Sequence, residues 1–172
     1  MVGVKKEAAQ KEISPIKGAK AETRITINSM LVGVAATVLF IIIAVNAKLL
    51  QENFWLSLQL VLITPFLIIS SLAYSKLAYK KEQKIWNLYA WTCFVMGYCF
   101  MINVIAILIS AIGLIFVGVL LLAINLALHY IYAAIDHKYG DGSVKEEIFK
   151  YTLLTLLNLV LGLWVILHYY AF

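Results

Sequence analysis

Histidine and carboxylate side chains are the groups in this chain best suited to hold a metal or move a proton, and four of them fall close together: His129, Asp136, His137 and Asp141. As a set they would make a metal-binding or acid–base cluster. Ligands on one helix must stand three or four residues apart to project from one face. His129 and Asp136 stand two helical turns apart, and no His-x3-His or carboxylate pair is offered on a regular helix. A structural role explains the same residues more simply. Gly140-Asp141-Gly142 reads as a turn, and Ser143-Val144-Lys145-Glu146 as a capping box that starts a helix in water.

Redox and haem chemistry find less support. Cys93 and Cys99 lie six residues apart, about 240° around a helix, so they form neither a Cys-x-x-Cys site nor a bridge. His129 and His168 fall at different heights in their apolar stretches, ~9 Å and ~27 Å from the same end at the helical rise, and cannot share a haem iron. The sequence predicts no cofactor and no metal. The remaining candidates are uncharged: Gln59, Thr64, Asn103, Asn125 and Asn158, set in strongly apolar surroundings.

Those surroundings define the elements. Of the 172 residues, 63% are hydrophobic and 13% charged, against roughly 45–50% and 25% in soluble domains. No Asp, Glu, Lys or Arg occurs in 25–47, 53–75, 85–135 or 151–172. The three shorter stretches match a single crossing each, since ~20 apolar residues span a bilayer as a helix. The long one would extend roughly 75 Å as one helix and must fold back, with the turn placed near Ser110 to Gly113. The reading is an all-α, polytopic helical bundle with spans at about 25–47, 54–75, 86–109, 112–135 and 150–171. Residues 1–24 form a separate polar segment, expected as a short surface helix that ends at Ser14-Pro15 and a linker after it. The first span is read as a retained anchor; its leader and apolar run exceed those of a cleavable signal peptide.

Lysine and arginine stay on the cytoplasmic side of short loops. With the N-terminus inside, thirteen of the fourteen basic residues are cytoplasmic and Lys48 alone is outside, which predicts a cell-membrane protein with its C-terminus out. Tyr74, Tyr79, Trp86, Tyr89, Trp91 and Tyr151 then mark the inner boundary as lipid anchors. The basic N-terminal segment would also attract anionic lipid headgroups. Topology already explains the net charge of +5, so no nucleic acid is expected.

Depth along these helices pairs the amides. Asn125 and Asn158 both fall ~12–15 Å from the inner boundary, and Gln59 and Asn103 both at ~24–25 Å. Such residues turn toward other helices, or toward a pore. Small residues at four-residue spacing mark packing faces: Ser29, Gly33 and Thr37 in the first span, Cys93 and Gly97 in the third, Ala123 and Ala127 in the fourth. Gly162 joins Thr155 and Asn158 in the fifth. Pro65 should kink the second.

These features predict a non-enzymatic bundle that acts by association with other membrane subunits or with itself. The alternatives are an oligomeric channel or facilitator lined by the amides and Thr64, and a cytoplasmic-face lipid-modifying enzyme built on the His129 cluster.

Overall fold

The structure, a computed structural model, describes residues 2–77, 83–139 and 144–171, with side chains for 21–76, 85–135, 137 and 148–171. Its helices are α1 (Val2–Asn46), α2 (Lys48–Glu52), α3 (Phe54–Leu77), α4 (Gln83–Ala111), α5 (Ile115–Tyr139) and α6 (Val144–Leu156). The last helix then continues through wide π-type turns at Leu157–Leu163 and Leu167–Ala171, with one α turn between them. No strand occurs among the described residues.

Five stretches are long and apolar enough to cross a membrane: Ala21–Asn46, Phe54–Lys76, Ile85–Ala111, Ile115–Ile135 and Ile148–Ala171. They are called the first to fifth spans below. All five lie within a few residues of the expected limits. One expectation is corrected: α1 does not stop at Ser14-Pro15 but runs unbroken from Val2 to Asn46. Proline removes one amide donor and crowds one turn, a local cost of about 3 kcal/mol. The Ala, Lys and Glu residues around it are good helix formers, so the strain stays local.

Charge-free helices close in on the third span. Its apolar stretch is 56% buried, whereas those of the first and fourth are 17% buried. It packs on the second, fourth and fifth spans, while the first span rests mainly on the second. Large side chains such as Phe40, Val61 and Phe116 are 71%, 69% and 78% exposed on the outside. In water that surface would aggregate; facing lipid tails it is the expected coat, because the backbone amides are already satisfied within each helix.

The first span meets the bundle along one edge. Ala21, Asn28, Ala35 and Ile42 are buried at seven-residue intervals, two helical turns apart. Asn28 donates to the Leu67 carbonyl at 3.3 Å and to Ser71 Oγ at 3.0 Å. Ser29, Gly33 and Thr37 point the other way, and a β-carbon at Gly33 would meet open space. Ala123 and Ala127 are likewise exposed. The small face of the third span does pack inward, with Gly97 set so closely against Leu67 that a β-carbon would approach Leu67 Cγ to 2.8 Å.

Two local devices set the span ends. Asn53 caps α3: its Oδ1 accepts the Leu56 amide at 2.9 Å, and its Nδ2 donates to Tyr170 Oη at 3.2 Å. Between the third and fourth spans, Gly113 takes φ +90°, a conformation that favours glycine. The Gly113 amide bonds the Ser110 carbonyl and the Leu114 amide the Ile109 carbonyl, closing α4 with a Schellman turn. This is the fold-back expected at Ser110 to Gly113.

Candidate functional site

Two polar assemblies lie inside the bundle. The first is a set of amides from the second to fifth spans, arranged as two hydrogen-bonded groups. Asn103 Nδ2 donates to Gln59 Oε1 at 2.9 Å and to the Leu157 carbonyl at 3.2 Å. Gln59 Nε2 donates to the Leu161 carbonyl at 2.9 Å. Those two carbonyls lie in the π-type stretch of the fifth span, where side-chain donors enter the backbone ladder. Nearer the basic end, Asn158 Nδ2 donates to the Leu154 carbonyl at 2.9 Å and reaches Cys99 Sγ at 3.4 Å. Asn125 Nδ2 donates to Asn158 Oδ1 at 3.4 Å, and Tyr98 Oη donates to Asn125 Oδ1 at 2.9 Å. The structure thus brings together both amide pairs matched by depth. Gln59, Asn103, Asn125 and Asn158 are all buried; Thr64 is half-buried and takes no part in these bonds.

Gly162 makes this layer possible. A β-carbon there would approach Asn103 Oδ1 to 2.6 Å and Leu122 Cδ1 to 2.9 Å. Asn103 Oδ1 itself has no hydrogen-bond partner, so it rests in space that only glycine leaves free.

The second assembly is a cavity of about 560 Å³ at the basic end, walled by all five spans. Each contributes a polar or aromatic group: Arg24, Tyr74, Trp91, His129 and Lys150 in chain order. The Arg24 guanidinium donates to Tyr74 Oη and lies 4.9 Å from the centre of the Tyr74 ring. Lys150 Nζ stands 5.1 Å from the centre of the Trp91 ring. Aromatic faces steady a cation without neutralising it. His129 Nδ1–H donates to the Asn125 carbonyl at 2.8 Å, and its ring lies against Tyr98 at 5.5 Å. The cavity therefore adjoins the Asn125–Asn158 group of amides. Ile27, Phe94, Leu128 and Leu154 supply an apolar lining.

Of the expected cluster of His129, Asp136, His137 and Asp141, only the two histidine side chains are described, and they do not share the cavity. His129 faces the cavity, while His137 is exposed eight residues further along α5. The Asp136 side chain and Asp141 lie outside the described residues, as do Tyr79 and the side chains of the expected capping box. Among the described residues, no group of three or more His, Cys, Asp or Glu could hold a metal ion. Cys93 and Cys99 are both free and buried.

Sequence reasoning treated Arg24 and Lys150 as topogenic charges and Tyr74 and Trp91 as lipid anchors. The signal that groups them is depth: each cation opens its span at the same end, and each ring lies within about two turns of that level. Compared with protein-family models, with curated proteins and with solved structures, the chain matches none. Its class follows from its own architecture: five apolar helices around a buried third span mark a membrane protein.

Proposed function

We propose that this chain is a non-enzymatic membrane bundle that works by association, as a small subunit of a membrane complex or as a homo-oligomer. One observation carries this reading. The first span gives the bundle a single edge and turns Ser29, Gly33 and Thr37 outward, with nothing within 4 Å of a β-carbon at Gly33. Without a hydrophobic drive between helices in lipid, such a surface favours close backbone approach by another helix.

The bundle sits in the cell membrane with its basic end in the cytoplasm, as the lysine distribution supports. The basic N-terminal segment adds attraction to anionic headgroups, worth about 1 kcal/mol per well-placed cation. A channel lined by the amides draws less support, because their donors are engaged within the chain. An enzyme at the basic end also draws less, since the described cavity wall offers no carboxylate, thiol or hydroxymethyl nucleophile.

Crosslinking tests the reading. With Cys93 and Cys99 replaced, Gly33→Cys should form a disulfide-linked species in native membranes under mild oxidation, and Gly33→Ile should weaken association at least tenfold. A monomer band alone across a wide range of protein-to-lipid ratios sinks it.

A further inference from the structure

We infer that the basic-end cavity binds one anionic phospholipid of the adjoining leaflet, its phosphate held between Arg24 and Lys150 and its acyl chains leaving past Ile27 and Leu128. This site is independent of the association surface on the first span.

Charge is the first argument. Arg24 and Lys150 are half-buried, and among the described residues neither is ion-paired; the one salt bridge there joins Lys48 to Glu52 near the opposite end. A cation held between helices at a membrane boundary attracts an anion strongly, and a phosphate oxygen supplies that charge with directed hydrogen bonds. Tyr74 Oη already takes one guanidinium N–H, which fixes the plane of the fork and leaves its other donors available.

Shape is the second. At about 560 Å³ the cavity lies within the ~300–1,000 Å³ range of small-molecule sites. Its wall grades from charged to oily, as an amphiphile requires. Ile27 and Leu128 are 42% and 60% exposed, so the lining passes into the lipid-facing surface on either side. The first span packs mainly on the second and the fourth on the third, which leaves a lateral mouth between them. A free inorganic anion would need none of this apolar path.

The test uses the full chain in nanodiscs or mild detergent, with phosphatidylglycerol as the probe and phosphatidylcholine and inorganic phosphate as comparisons. Bound lipid is counted by native mass spectrometry and affinity read by titration. One phosphatidylglycerol per chain should be retained, at least tenfold more tightly than phosphatidylcholine. Arg24→Gln and Lys150→Gln should each weaken it about tenfold or more, while Lys76→Gln, an exposed cation at the same end, should change it less than twofold. Leu128→Trp keeps every charge but fills the mouth, and should also weaken binding tenfold; it decides the matter if Arg24→Gln fails to fold. Equal loss from Lys76→Gln would mean surface attraction only, and equal affinity for the two lipids would remove the site. Inorganic phosphate competing as strongly as the lipid would overturn the lipid assignment.

Discussion

At the scale of single residues, what distinguishes this bundle is how its few polar groups are satisfied in oil. The Asn103 amide bonds both Gln59 and the Leu157 carbonyl, so Asn103→Leu strands two acceptors. Interhelical hydrogen bonds in membranes average about 0.6 kcal/mol and reach about 1.7. The substitution should therefore lower stability by about 1–2 kcal/mol, and a double-mutant cycle with Gln59→Leu, which isolates the one bond between the two side chains, should return a coupling energy of about 0.6 kcal/mol. Unfolding measured in bicelles reads both. Gly162→Ala should cost more than its one methyl suggests, about 1–3 kcal/mol, because the new carbon has Asn103 Oδ1 on one side and Leu122 on the other. An unchanged unfolding curve would show that this interface is looser than its distances imply. Reading the chain residue by residue located these amides and paired them by depth. It did not reveal that Arg24 and Lys150 face a common cavity, since a cation at a span end looks the same whether it points into water or between helices.

Elements carry a different kind of argument. The turn between the third and fourth spans depends on a backbone angle, not a contact: a β-carbon at Gly113 meets nothing, yet φ is +90°. Gly113→Ala should cost about 1 kcal/mol through backbone strain alone, and Gly33→Ala, at an open helical site with ordinary φ, should be neutral or slightly stabilising in the monomer. Opposite signs from the same chemical change separate conformational from steric roles in one experiment. Small-residue spacing, by contrast, was only half informative. Gly97 and Gly162 lie at tight contacts, whereas Gly33, Ala123 and Ala127 face outward. In lipid the inner and outer faces of a helix are both apolar, so a small stripe does not announce which way it turns.

For the whole molecule, the prediction concerns sidedness. Cysteines placed at 80 and 141 should react with a membrane-impermeant maleimide from the cytoplasmic side, and one at 48 from the other. Labelling of all three from one side would overturn the inside orientation of the N-terminus. The barrier behind this is the cost of moving lysine through hydrocarbon, about 2.5–3.5 kcal/mol per charge on insertion scales.

The amino-acid sequence by itself determined that there are five long apolar helices, that the chain folds back near Ser110 to Gly113, and which amides stand level with one another along their helices. The reason is that a bilayer imposes one axis on the chain: charges stay at its ends, and rise per residue converts position into depth. Tertiary structure decided the rotation of each helix about that axis. Rotation turned Ser29, Gly33 and Thr37 away from the bundle, sank Gly162 onto Asn103, and gathered Arg24, Tyr74, Trp91, His129 and Lys150 around one cavity. Helices with oily surfaces all round carry little amphipathic signal, so their facing is set by close packing and a few hydrogen bonds between partners far apart in the chain.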